Sequence, residues 1–110
     1  MMQRILHFDV DDIIVDPDNV LDRVKHACAA ADGTYRLRGI CQIGDRVSFV
    51  LTPREAAYLE ETYVFGWLDD TSPQGFQTAL MNRWSGGYDT LGTVNLGDNR
   101  YLLVLAAAKA

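Results

Sequence analysis

The sequence is poor in the residues that most often announce a function. It holds two cysteines and two histidines in 110 residues. Cys28 and Cys41 are not arranged as a C-x-x-C pair, which removes the local signatures of a zinc ribbon or a dithiol redox centre. His7 and His26 have no second ligand at metal-binding spacing, and a zinc site built with the cysteines would need four separate pieces of chain to converge. His26 and Cys28, two apart on a helix, point in different directions. No run approaches the roughly 18 apolar residues of a membrane span. The opening, Met1 to His7, is too short in apolar residues for a signal h-region. The expectation is a bacterial-type cytoplasmic protein with two reduced, mostly buried thiols and no membrane association.

Positive charge is also scarce. Ten Lys and Arg face fifteen Asp and Glu, for a net charge of −5. That disfavours nucleic acid as a partner, because phosphate binding needs clustered basic residues to release counterions. The charge is uneven: residues 1 to 32 hold seven Asp, and Arg36, Arg38, Arg46 and Arg54 follow. The stretch Asp9, Asp11, Asp12, Asp16, Asp18 invites a metal reading, since hard cations want several carboxylate oxygens. Its spacing fails as a calcium loop: Ile14 stands where the glycine should be, and no glutamate closes the loop. Asp16 is better placed as a helix cap, with Asp18 complementing the helix dipole. Ser85-Gly86-Gly87 follows a helix instead of opening one and has no lysine after it, so it is not a phosphate loop. No catalytic, metal or cofactor signature stands out.

What is present is the profile of one soluble globular domain, with 48% hydrophobic and 23% charged residues. Its three prolines occur as Asp16-Pro17, Thr52-Pro53 and Ser72-Pro73, each with a good N-cap residue before a proline suited to the first helical position. Helices are therefore predicted from 17 to about 31, from 53 to about 61, and from 73 to about 84. Val20, Leu21, Val24 and Cys28 share one face of the first; Phe76, Leu80 and Trp84 form the stripe of the last. Tyr35, Leu37, Gly39, Cys41 and Ile43 alternate with polar residues as a strand. Gly44-Asp45 suits a tight hairpin turn, and Val47, Phe49 and Leu51 continue the apolar face. Residues 91–106 repeat this design around Gly97-Asp98-Asn99. Leading strands fall at about 4–10 and 62–68, the latter with Tyr63, Phe65 and Trp67 at alternate, core-like positions.

The repetition extends further. With Gly33 over Gly86, both stretches read G-x-Y-x-x-x-G-x-x-x-x-G-D without a gap. One extra residue in the second hairpin then aligns Val47, Phe49 and Leu51 with Tyr101, Leu103 and Leu105. Val20, Val24 and Cys28 lie over Phe76, Leu80 and Trp84. Two β-α-β-β units, about 1–51 and 62–106, joined by a helical connector at 52–61, are thus expected to form one α+β domain. The expected fold is a two-layer, ferredoxin-like or related sandwich: one mostly antiparallel sheet with two helices on one face. Gly39 and Gly92 would sit on the core side of their strands, where a missing side chain allows close approach.

Trp84-Ser85-Gly86-Gly87-Tyr88, followed by a strand, a turn and Tyr101-Leu102-Leu103-Val104-Leu105, resembles small bacterial β-α-β-β domains of unknown function. In those domains a helix ends in a glycine and aromatic pair, and two strands follow. The pair's aromatic is usually tryptophan and is tyrosine here. The resemblance implies a fold and no activity.

Function is then expected where the two units differ, on the outer sheet face. Arg36, Arg38, Gln42 and Ser48 would lie there in the first unit, and Leu91, Leu102 and Val104, with Thr93 and Asn95, in the second. An apolar half-face of Leu91, Leu102 and Val104 needs a cover. This suggests a non-enzymatic module that meets another protein or a second copy of itself. The alternative is a small ligand, or a simple reaction, in a pocket between the units, served by Tyr35, Tyr88, Trp67, Arg36 and Arg38. An acidic protein that blocks a basic partner is a third reading, from the Asp-rich first segment.

Overall fold

A computed structural model describes residues 3–29, 34–54 and 61–108. Strand β1 (Arg4–Asp9) runs into a short helix α1 (Val10–Val15), then α2 (Pro17–Cys28), β2 (Tyr35–Ile43) and β3 (Arg46–Pro53). Strand β4 (Glu61–Leu68), helix α3 (Pro73–Ser85), β5 (Asp89–Gly97) and β6 (Arg100–Ala108) follow. The class is α+β. Two of the three proline signals work as read. Asp16 accepts the Asn19 N–H ahead of Pro17, and Ser72 accepts the Gly75 N–H ahead of Pro73. The third does not: Thr52 and Pro53 continue β3, paired with Arg36 and Tyr35. Most of the predicted connector helix lies outside the described residues, as does Gly33. Helix α1 has no counterpart among the predicted elements.

The strands form two antiparallel three-stranded sheets, ordered β1-β3-β2 and β4-β6-β5. The single six-stranded sheet expected from the sequence is therefore replaced by two. Edge strands β2 and β5 come together without a backbone ladder. Instead the Gln42 side chain acts as a rung: its Nε2 donates to the Asn95 carbonyl at 2.7 Å and its Oε1 accepts the Asn95 N–H at 2.8 Å. Gly92 eases the approach, since a Cβ there would lie 3.3 Å from Ile40 Cδ1 and push it aside. Gly39 is not its equivalent, because its missing Cβ would meet only Val50 of its own sheet, at an ordinary 3.6 Å.

The strand parity also differs from the simple alternation. Both β2 and β5 carry a bulge, between Leu37 and Gly39 and between Thr90 and Gly92. An extra residue reverses which face the following side chains take. Tyr35 and Leu37 are buried, but beyond the bulge Cys41 and Ile43 are exposed. Cys41 is therefore not the buried thiol expected of it. The extra residue of the second hairpin is absorbed by another irregularity, between Asn95 and Gly97. Both hairpins keep two-residue turns: Gly44 takes φ +58° in the first, and Asp98 and Asn99 are both left-handed in the second.

The main core lies between the halves. Val10, Ile13, Val20, Leu21 and Val24 of the helices join Phe8, Leu37, Val47, Phe49 and Leu51 of the first sheet. Tyr63, Val94, Leu96, Leu102, Val104 and Ala106 of the second sheet complete it. The Phe49 and Phe65 rings meet across the junction at 6.5 Å. The opposite face of the second sheet is roofed by α3, with Leu103 and Leu105 under Phe76, Ala79 and Leu80. Trp84, expected in that stripe, is 70% exposed. Each four-residue step on a helix advances the side chain by about 40°, so two steps from Phe76 carry Trp84 off the packed face.

Candidate functional site

The outer apolar half-face expected at Leu91, Leu102 and Val104 is already covered. Leu102 and Val104 are buried in the main core and Leu91 packs against it, so the cover is the first half of the same chain. These side chains are not presented to a partner. Among the described residues the exposed large apolar side chains are instead Ile5, Ile14, Val15, Ile43, Trp67, Met81 and Trp84. Two of them, Ile14 and Trp67, meet where the halves join.

That place is a crevice of about 260 Å³ lined by Ile13, Ile14, Pro17, Asp18, Leu21, Val64, Phe65, Trp67, Leu96 and Leu102. Its first wall is the corner between α1 and α2. The Val10 N–H donates to the Asp45 carbonyl at 2.8 Å, which ties the start of α1 to the first hairpin. Ile13 then points into the core, while Ile14, the next residue, is 40% exposed. Asp16 ends α1 and caps α2, and Pro17 starts the second helix at once. The second wall is β4, an edge strand with no neighbour on its outer side among the described residues. Trp67, paired with Leu102 near the end of β4, is 60% exposed. Val15, beside Ile14 in the chain, is 82% exposed. Large apolar side chains that stay this wet around a recess signal a surface that another apolar group can cover. Among the described residues Asp18 is the one charged side chain that lines it.

No family model, curated protein or solved structure matches the chain.

Of the ligand residues named from the sequence, the crevice contains Trp67 and not the others. Tyr35 is buried at the start of β2, with the Arg4 guanidinium 5.2 Å from its ring centroid. Tyr88 is half-buried below α3, beside Leu80. Arg36 is half-buried on β2 and Arg38 is exposed at the bulge. Leu102, named as an interface residue, reappears as part of the crevice floor. Ile13, Ile14, Pro17 and Leu21 were missed as site residues. Their signal was the apolar run Ile13-Ile14-Val15 set among aspartates.

A second recess between the halves, about 220 Å³, includes Lys25, Cys28, Tyr35, Arg54, Glu61 and Tyr63. Tyr63 Oη accepts the Leu37 N–H at 2.9 Å and donates to Glu61 at 3.2 Å. Burial pushes the Cys28 thiol up to about 11; a hydrogen bond to Tyr63 opposes that and the Glu61 charge adds to it. Burial likewise raises the Tyr63 phenol. Neutral, inward-turned groups of this kind hold the halves together and offer no activated nucleophile. On the open face of the first sheet His7 Nδ1 lies 2.7 Å from Ser48 Oγ. Among the described residues no carboxylate orients His7, so the pair lacks the third member of a nucleophilic triad. Among the described residues no group of three or more His, Cys, Asp or Glu converges on one point.

Proposed function

We propose that this chain is a non-enzymatic interaction module, a tandem pair of β-α-β-β units whose junction crevice receives an apolar side chain from a partner protein. The observation that carries this is the exposure of Ile14 and Trp67 on opposite walls of a recess built by both halves. Duplication is supported by the shared order of elements and by two sheets that each place their third strand in the middle. The bulges before Gly39 and Gly92 also fall at equivalent positions. Both cysteines are free, which supports a reducing compartment such as the cytoplasm.

A small molecule in the same crevice is the second reading. The volume of about 260 Å³ favours a side chain, because small-molecule sites run from roughly 300 to 1,000 Å³. A random peptide display selection against the purified protein tests the function. Enriched peptides should share a large apolar residue and lose binding to Trp67→Ala and Ile14→Ser proteins, both altered at exposed positions that leave the fold intact. Peptides that bind these variants as well as the parent would sink the reading. Light scattering on the free protein decides whether the partner is a second copy.

A further inference from the structure

We infer that the crevice selects a segment whose apolar residue is flanked by lysine or arginine. This rests on the interaction reading above and adds the chemistry of the partner. The chain segments that form the two walls carry carboxylates and no cation of their own; the Arg83 guanidinium lies against Gly66 on the α3-covered face of β4, away from the crevice. From Ile5 to Asp22 the chain has no Lys or Arg, and from Glu61 to Asp70 it again has none. Within these segments Asp18 lines the crevice, Asp11, Asp12 and Asp16 are exposed on the same helical corner, and Asp69 follows Trp67 by two residues.

None of these carboxylates is ion-paired among the described residues, and the nearest cation to share a recess with one is Arg83, beside Asp69. Asp16 accepts the Asn19 N–H and Asp12 accepts the Asp9 N–H, bonds that use an oxygen and leave the charge. None of Asp11, Asp18 or Asp69 has an ion-pair partner among the described residues. Arg23, the first basic residue after the corner, lies over the Phe8 ring at 4.8 Å. The N-terminus of α2 supplies only about half a positive charge, against five carboxylates. The whole chain adds a net −5. A cationic segment would be steered toward this corner over the roughly 8 Å reach of charge at physiological salt. An acidic or neutral apolar segment, including a second copy of this acidic chain, would meet repulsion or no attraction.

The probes are short synthetic peptides: two leucines flanked by lysines, the same peptide with glutamines for lysines, and the lysine peptide with serines for leucines. Binding is read from the fluorescence of Trp67 in a Trp84→Phe protein, which retains a single tryptophan. The leucine–lysine peptide should bind about tenfold tighter than the leucine–glutamine one at low salt, the equivalent of two or three solvent-exposed ion pairs. That margin should shrink as salt rises. It should fall to a small remainder in a protein carrying Asp11→Asn, Asp12→Asn and Asp18→Asn, which keeps Asp16 and Asp69. Equal binding of the two leucine peptides overturns the charge inference and leaves the apolar crevice standing. If the serine–lysine peptide binds as tightly as the leucine–lysine one with Trp67 unmoved, or if neither leucine peptide binds, the crevice reading falls and the inference with it.

Discussion

Replacing Gln42 with alanine removes the rung that joins the two sheets. The side chain makes two short bonds to the main chain of Asn95, at 2.7 and 2.8 Å, and a third to the Gly44 carbonyl at 3.1 Å. A net hydrogen bond contributes about 0.5–1.5 kcal/mol, and an unpaired buried group costs about 1–3 kcal/mol. Asn95 and Gly44 are exposed, so water can serve part of what is lost. The expected loss for Gln42→Ala is therefore about 1–3 kcal/mol, at the low end for each bond and summed over three. Urea denaturation should show a lower midpoint at unchanged slope, because the surface exposed on unfolding is nearly the same. Amide exchange should quicken at Asn95 first. Gln42→Glu sharpens the case: a carboxylate can still accept the Asn95 N–H but repels the Asn95 carbonyl that Nε2 had bridged. It should be no more stable than alanine at neutral pH. A Gln42→Ala protein within about 0.5 kcal/mol of the parent would refute the claim that this side chain, rather than core packing alone, joins β2 to β5.

Tyr63→Phe removes the hydroxyl that accepts the buried Leu37 N–H, and should cost about 1–3 kcal/mol by chemical denaturation. Phe49→Ala empties a fully buried site against Phe8 and Phe65 and should cost about 3–5 kcal/mol, enough to leave a marginal fold. Gly92→Val drives a branched side chain into Ile40 and should lower stability by about 1–3 kcal/mol, while Gly39→Ala should be tolerated. Alkylation at pH 8 should label the exposed Cys41 quickly and Cys28 slowly, since the Cys28 thiol is held near 11 by burial. The same shift sets a pH dependence. The folded thiol keeps its proton to a higher pH than the ordinary value of 9.0, so its contribution is full below about pH 9 and is lost as pH rises through about 11. The urea midpoint should fall over that window, and fall less in Cys28→Ala.

Much of the local structure was legible because its signals are short-range. Asp16-Pro17 and Ser72-Pro73 act through caps and one fixed φ, and the hairpin turns through residues that tolerate left-handed backbone. What escaped depends on single-residue insertions and on tertiary placement. The bulge at Arg38 reverses the face of every later residue in β2, so alternation alone put Cys41 and Ile43 on the wrong side. The bulge at Leu91 does the same in β5, which carries Val94 and Leu96 inward. Trp67 was named as a ligand residue, yet the same alternation had argued for a core position. Only its place on the wall of the crevice, across from the α1–α2 corner, shows it as an exposed site residue. The partners of Trp67 come from residues 13–21, about half the chain away, and no local pattern links the two segments.

The most direct test of the central claim is a set of intermolecular nuclear Overhauser contacts in the complex with the leucine–lysine peptide. Binding in the crevice predicts contacts from the peptide leucine methyls to the Trp67 ring and to the methyls of Ile14, Leu21 and Val64. Contacts found instead at Met81 and Trp84, or on the open sheet face around Ile5 and Ile43, would contradict it.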